Sequence, residues 1–383
     1  MIQLHTGSHM YLLLTLLSVV GEFPFRSLHL LGSEEVFQKL VRRLSDKQMI
    51  RHTETGETVY AKLLSISGKG QYRTIRLHAE ALPVLEWLGL RKYYEDNFCR
   101  CNFPSNVSHI ERNHRVAEAM AMFMKMCLEI YPCMLVSLSE ELIPHRFSEP
   151  TVYPAKIIKT VGKTELNKTA FTRMVATVFT PDECYAVYNT RNSAMKWNGM
   201  GEFKNKQYLI EIARVNGGIS DVDSAILFGA SGKIALETLI ESDKSRRREY
   251  RFDSIYRQVH YFTLDRDGIR QLKLFLTPNY RERVLRLLFK DTQRSYNSGI
   301  FEYDAYVDGV YVFAHFDGDI ARLIRFREGI EHFGFRSEVL CFPNQVEYVE
   351  SYLGGLSTIK TIDIDTFEKR FGIGKEINED KRK

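Results

Sequence analysis

Two aspartates, Asp317 and Asp319, follow the apolar run YVFAHF in the last quarter of the chain. Sites in parallel α/β domains lie at the carboxyl ends of strands, where two carboxylates could hold Mg²⁺. An aspartate directly before a helix is also a preferred N-cap residue. Because the helical pattern 319–333 follows at once, we predict that these aspartates cap a helix and hold no metal.

A second acidic pattern joins Asp182 to Glu202 and Lys204, in the order acid, acid, lysine that metal-dependent nucleases use. In those enzymes the second acid and the lysine lie on a strand beside the first acid and share a cation. Here Glu202 follows the turn sequence WNGMG and begins a helix, and the preceding strand ends in YNTR, without a carboxylate. We therefore expect no catalytic residue, no metal and no cofactor, and a chain that is not an enzyme.

Basic residues are concentrated in one block near the N-terminus. Between Val36 and His78 there are nine lysines and arginines and three acids, an excess larger than the net charge of +5 for the whole chain. Such a field on a small module is typical of polyanion binding. The residues expected to contact DNA are Gln38, Lys39, Arg42, Arg43, Lys47, Arg51, Lys62, Lys69, Arg73 and Arg76.

The elements that must position this block have a recognisable order. A helix at 10–20 and a short helix at 25–31 precede a third helix, in which Phe37, Leu40, Val41 and Leu44 have the spacing of one buried face. β-rich runs, a turn at 68–70 and another helix follow. This order predicts a winged helix-turn-helix over residues 10–98, whose third helix enters the major groove while the hairpin binds phosphates. A winged helix used for protein contacts is the alternative.

A second candidate nucleic-acid surface lies in the run DKSRRREYRFDSIYRQ, residues 243–258. Arginines interleaved with aromatic residues are typical of surfaces that contact phosphates and stack on bases. The alternative is a solvated helix end between two strands. The basic residues proposed for this surface are Lys244, Arg246, Arg247, Arg248 and Arg251.

From about residue 152 the chain alternates short apolar runs with helical patterns, which predicts βαβ units and a largely parallel sheet. We predict an α/β protein with a winged helix-turn-helix at 10–98, a linking helical segment at 99–150, an α/β domain at 151–373 and a disordered tail at 374–383. Residues 1–9 are left out of this prediction because GSHM, residues 7–10, looks like the remnant of an expression tag.

The cysteines and the apolar N-terminal segment indicate in which cellular compartment the protein is expected. Six scattered cysteines without zinc spacing indicate reduced thiols of a cytoplasmic protein. The run YLLLTLLSVV, residues 11–20, is too short to span a bilayer and has no basic residue before it, so a core helix is expected.

The segment NHRVAEAMAMF, residues 113–123, follows the basic module and begins a long helix. Together with that module and the α/β pattern, it resembles the replication-relaxation family of plasmids and integrative conjugative elements. The resemblance is best over residues 11–123. It implies an accessory DNA-binding role in replication, its control or conjugative mobilisation.

Three functions are compatible with these patterns. The first is a DNA-binding accessory protein of a mobile element, whose expected partners are duplex DNA and relaxase or replication proteins of the same element. The second is a transcriptional regulator whose α/β domain binds an effector or forms a homodimer, and the third is a metal-dependent nuclease. No membrane partner is expected.

Overall fold

The computed structural model describes residues 2–99, 103, 106–126, 147, 149–161, 173–196, 200–245, 251–295 and 302–373. It is a mixed α/β structure that divides into two compact units. The first unit is Met1–Leu135 with Thr151–Thr160, and the second is Val136–Pro150 with Val161–Lys383.

The first unit combines short strands with helices. Its strands are β1 (Ile2–Leu4), β2 (Glu22–Pro24), β3 (Gln48–His52), β4 (Thr58–Ala61), β5 (Leu64–Ser67), β6 (Thr74–Leu77) and β7 (Thr151–Pro154). Its helices are α1 (His9–Val20), a 3-10 helix (Phe25–Leu31), α2 (Glu34–Leu44), α3 (Leu82–Trp87), α4 (Arg91–Tyr94) with the π-helix Glu95–Cys99, α5 (Val107–Lys125) and α6 (Ala155–Val161). One sheet has the order β1-β3-β4 and another the order β2-β6-β5.

The N-terminal residues that were left out of the fold prediction belong to this unit. Strand β1 pairs in parallel with β3, and Leu4 is 1% exposed. Ser8 caps α1 by accepting a hydrogen bond from the Tyr11 amide. The predicted core helix is confirmed, because Leu13, Leu14 and most of their neighbours in α1 are buried.

The long helix predicted as a linker packs inside the first unit. Helix α5 contacts α1, β2 and the 3-10 helix, and its alanines, Met120, Met122 and Phe123 are buried there. Residues 107–125 of the predicted linking segment therefore pack within this unit, while its described residues 147, 149 and 150 belong to the second unit.

The second unit contains strands β8 (Met174–Phe179), β9 (Cys184–Arg191), β10 (Ser224–Gly229), β11 (Gln258–Thr263), β12 (Ala305–Val307), β13 (Val310–Ala314), β14 (Ser337–Cys341) and β15 (Thr358–Thr361). Its helices are α7 (Met200–Gly217), α8 (Gly232–Asp243), α9 (Phe252–Ile255), α10 (Arg266–Phe275), α11 (Tyr280–Leu288), α12 (Ile320–Phe333), α13 (Val346–Leu353) and α14 (Ile364–Phe371). The predicted alternation of strands and helices is confirmed.

The second unit repeats one arrangement twice. Strands β8 and β9 form an antiparallel pair, and β9, β10 and β11 then run parallel with helices between them. Strands β12 and β13 likewise form an antiparallel pair, followed by parallel β13, β14 and β15. The turn after β13 lies along β11, where the Tyr261 amide donates to the Gly318 carbonyl over 2.9 Å. This turn therefore joins the two halves.

Gly318 is required in that turn. Its φ of +65° is in the left-handed region, and a Cβ atom there would lie 2.6 Å from the Tyr261 carbonyl oxygen. Only glycine lets the two backbones approach this closely, which holds Asp317 and Asp319 against β11.

Candidate functional sites

Helix α2 presents a basic face to solvent. Phe37, Val41 and Leu44 are each 0% exposed and form the buried face. With 3.6 residues per turn, Lys39, Arg42 and Arg43 point away from that face, and all three are exposed. The predicted division of α2 into an apolar and a basic face is confirmed, except that Leu40 is only partly buried.

Within the described part of the chain, the cations of this face have no acidic partner. Among the described residues, Lys39, Arg42 and Arg43 have no ion pair or side-chain hydrogen bond. Gln38 is engaged, because its amide donates to Glu34 over 2.8 Å. Glu35 is also exposed and, by helical periodicity, projects on the basic side, where it opposes the field of the three cations.

Some of the other predicted DNA contacts are exposed, and others are partly buried or paired with an acidic side chain. Arg51 on β3 and Lys69 are exposed, while Lys62 is partly buried. The Lys47 ammonium lies 3.4 Å from the Glu80 carboxylate, which also accepts a hydrogen bond from the Lys62 amide. Lys47 therefore offers less net charge than Arg51 or Lys69.

Two predicted contacts, Arg73 and Arg76, take part in packing. The Arg73 guanidinium lies 4.1 Å from the ring centre of Phe25. The Arg76 guanidinium donates two hydrogen bonds to one carboxylate oxygen of the fully buried Glu22, at 2.9 and 2.7 Å. Since a buried carboxylate needs such a partner, the charge of Arg76 is already matched.

The turn between β5 and β6 carries Lys69 at its tip. Gly68 has a φ of +77°, and a Cβ atom there would lie 2.4 Å from the Tyr72 carbonyl oxygen. The sequence Gly68–Gly70 thus encodes a tight turn that leaves Lys69 in solvent. A separate hairpin, β3–β4, pairs with β1, so the β-rich run contains two hairpins in different sheets.

The motif on which the family resemblance rests has a structural role in this chain. Asn113 donates to Glu22 over 2.7 Å, His114 hydrogen-bonds Thr74 at 2.9 Å, and Glu118 accepts from Ser27 at 2.6 Å. Because His114 is 0% and Glu118 3% exposed, neither contacts solvent or a phosphate. These bonds attach α5 to β2, β6 and the 3-10 helix.

Part of the second candidate surface is engaged within the protein. Lys244 is exposed, whereas Arg251 is 9% exposed and lies 2.9 Å from Asp253 and 3.4 Å from Glu328. Arg246, Arg247 and Arg248 lie outside the described residues. The ion pairs of Arg251 anchor the start of α9.

The acids of the nuclease-like pattern occupy different places. Asp182 is exposed in the turn between β8 and β9. Glu202 lies in the first turn of α7, as predicted, 3.3 Å from Arg173. Burial raises the pKa of Glu202, an effect that Arg173 opposes. No group of three metal-ligating side chains among the described residues contains either acid.

A different set of side chains does converge. His260, Asp317 and Asp319 each offer a ligand atom within 4.8 Å of the others, and all three are buried. Asp319 is the N-cap of α12, as predicted, since its Oδ1 accepts from the Ala321 and Arg322 amides at 3.0 and 3.1 Å. The same oxygen accepts from the Val259 amide of β11 at 3.0 Å.

Arg322 lies beside this cluster and is 1% exposed. Its Nη2 donates to Asp304 over 2.9 Å, and its Nη1 lies 3.6 Å from Asp317 Oδ2. Burial disfavours the charged form of Asp317, but Arg322 and the other nearby basic groups together outweigh this effect, and the pKa of Asp317 falls below its usual range. Burial raises the pKa of Asp319. It lowers the pKa of the neighbouring His315 to about 4.

Sequence reasoning found the two aspartates but missed His260 and Arg322. His260 stands in the apolar run QVHYFT, where a single histidine gives no spacing signal. Arg322 is one of several arginines in α12, and nothing local distinguishes it as buried.

No protein-family model, curated protein or solved structure matches this chain. Among the helices described, none has the length and apolar character needed to cross a membrane.

Proposed function

We propose that this protein binds duplex DNA through the exposed face of α2, as an accessory protein of a mobile genetic element. The observation that carries the proposal is the pair Arg42 and Arg43, exposed and without an acidic partner among the described residues. Three adjacent cations on one helix face suit a row of phosphates, and guanidinium groups also suit the guanine edge in the major groove.

The topology of the first unit supports a winged helix-turn-helix as the binding module. Helix α1, strand β2, the 3-10 helix and α2 precede the hairpin β5–β6, and the sheet has the order β2-β6-β5. In such a module the helix before the hairpin enters the major groove and the hairpin follows the backbone. The hairpin β3–β4 is then an insertion between the third helix and the wing.

The turn at Lys69 supports a phosphate contact by the wing. Lys69 is exposed at the tip, where a lysine acts as a point charge without base specificity. In this proposal Arg42 and Arg43 contact both the backbone phosphates and the base edges of the major groove, and Lys69 carries sequence-independent affinity.

The mobile-element role rests on the family resemblance alone. In this proposal the second unit is a platform for partner proteins or for a second copy of the chain. A transcriptional regulator would use the same DNA-binding face, and footprinting on the element's origin and promoter regions separates the two roles.

The test is a titration in which the full chain is added to labelled duplex DNA and binding is measured by fluorescence anisotropy. Replacing Lys39, Arg42 and Arg43 with alanine should weaken binding by about 30-fold or more, since two base contacts are worth about 1–3 kcal/mol each. A matched control replaces the exposed Lys233 and Arg336 of the second unit with alanine.

Retained affinity in the folded triple variant, or an equal loss in the control, would contradict the proposal. The titration is run with EDTA and with Mg²⁺, and the DNA is then examined for nicks. Nicking by the wild type that disappears in Asp182→Asn would favour the nuclease alternative.

A further inference from the structure

The cluster of His260, Asp317 and Asp319 is held in place by backbone contacts on three sides. His260 lies on β11, Asp317 follows β13, and Asp319 begins α12. A β-bridge joins His260 to Asp319, and the Asp319 amide donates to Asp317 Oδ1 over 3.2 Å. The three side chains therefore converge without support from a long flexible loop.

Coordination capacity remains free inside the cluster. Asp319 is 0% exposed, and its Oδ2 has no hydrogen-bond partner among the described residues. A buried carboxylate oxygen without a partner costs free energy. His260 Nδ1 lies 3.0 Å from the Asp317 carbonyl oxygen, which can only accept, so Nδ1 carries the proton and the Nε2 lone pair is available. Histidine ligands of metals are commonly oriented by such a bond.

The charges around the cluster leave a deficit of positive charge. Asp304, Asp317 and Asp319 are 1%, 5% and 0% exposed, and Arg322 is the guanidinium buried with them. Arg322 faces Asp304 and Glu302, at 2.9 and 3.2 Å, and not the free oxygen of Asp319. Arg281 reaches Asp304 from the surface. These two guanidinium groups face three buried carboxylates, so one negative charge is left over, which a bound cation would offset.

We infer that His260, Asp317 and Asp319 bind one divalent transition-metal ion of the Mn²⁺, Fe²⁺ or Zn²⁺ class. One imidazole nitrogen with two carboxylate oxygens suits these ions, whereas Mg²⁺ and Ca²⁺ prefer shells of oxygen alone. Metal–ligand distances of about 2.0–2.2 Å place neighbouring donors about 3.0–3.5 Å apart. Binding therefore draws the ligand atoms closer than the 4.8 Å within which they now lie.

The role of this ion is structural. The three ligands are at most 5% exposed, so no opening admits a phosphodiester to the metal. The ion instead links β11 to the turn that begins α12, which is where the two halves of the second unit meet. This site is independent of the proposed DNA-binding face.

The experiment measures Mn²⁺ binding to the full chain, freed of metal by chelation and dialysis, by electron paramagnetic resonance. We expect one tightly bound Mn²⁺ per wild-type chain and at least 10-fold weaker binding in Asp319→Asn and His260→Gln. Asparagine is as good an N-cap as aspartate, so Asp319→Asn preserves the start of α12. The matched control is Asp363→Asn, the same change at the exposed N-cap of α14, and it should bind like the wild type.

The absence of stoichiometric Mn²⁺ binding by the wild type would overturn the inference, as would unchanged affinity in Asp319→Asn. If both variants fail to fold, pulsed electron paramagnetic resonance of Mn²⁺ bound to the wild type tests whether a histidine coordinates the ion. Nitrogen coupling from a coordinated imidazole supports the site, and its absence rejects it. Thermal unfolding gives a second measure, in which Mn²⁺ should raise the midpoint of the wild type more than the same concentration of Mg²⁺.

Discussion

Replacing Arg42 and Arg43 together with alanine should reduce the salt dependence of DNA binding by a calculable amount. Both side chains are exposed and have no acidic partner among the described residues, so their removal breaks no ion pair there. Alanine is the best helix former, so α2 should persist. Each phosphate contact contributes about 0.9 to the slope of log affinity against log salt, so the slope should fall by about 1.8.

This change in slope has a measurable consequence. Between about 50 and about 200 mM salt, a slope difference of about 1.8 changes the affinity ratio of wild type to double variant by about 12-fold. The assay is a series of anisotropy titrations at several salt concentrations, with circular dichroism as the check on folding. Parallel salt plots for wild type and folded variant would refute the assignment of these arginines to phosphate contacts.

Three further predictions concern the same surface and the buried cluster, two of them with a second variant for comparison. Glu35→Gln should strengthen DNA binding, because Glu35 is the acid that shares the basic side of α2; weaker binding in the same titration would count against that orientation. Lys69→Ala should weaken binding of all duplex sequences alike and more than Lys47→Ala does, since Glu80 already pairs with Lys47; a loss confined to one sequence would contradict a phosphate contact. Arg322→Met should lower the free energy of unfolding in urea by about 3–5 kcal/mol, because it leaves buried carboxylates unpaired. Arg281→Met, at a side chain 44% exposed, should cost less than about 1 kcal/mol. Equal losses of unfolding free energy in these two variants would contradict the expectation that the buried guanidinium of Arg322 contributes more to stability than that of Arg281.

Local patterns predicted much of the secondary structure. The alternation of short apolar runs and helical patterns after residue 152 corresponds to β9, β10 and β11 with the helices between them, because short apolar runs bounded by turn residues favour buried strands. All six residues of β8 are buried, and its sequence has no alternation of apolar and polar residues that would mark one face of a sheet.

Contacts between distant residues were beyond the reach of the sequence. The exposed face of α2 follows from helical spacing within eleven residues. The pairing of Arg76 with Glu22 joins residues 54 positions apart, and only the antiparallel β2–β6 pairing reveals it. His260 meets Asp319 across 59 positions, through a bridge that no local pattern encodes. The predicted capping role is therefore confirmed for Asp319 but wrong for Asp317, which does not cap α12, and the cluster that both complete was not predicted.

Lysine footprinting on the wild-type chain tests the DNA-binding face most directly. Reductive methylation is carried out with and without saturating duplex DNA, and modified lysines are identified by mass spectrometry. DNA should protect Lys39 and Lys69, while the exposed Lys233 of the second unit should react equally in both samples. Protection of Lys233 with full reactivity of Lys39 and Lys69 would contradict a binding face on α2 and the β5–β6 turn.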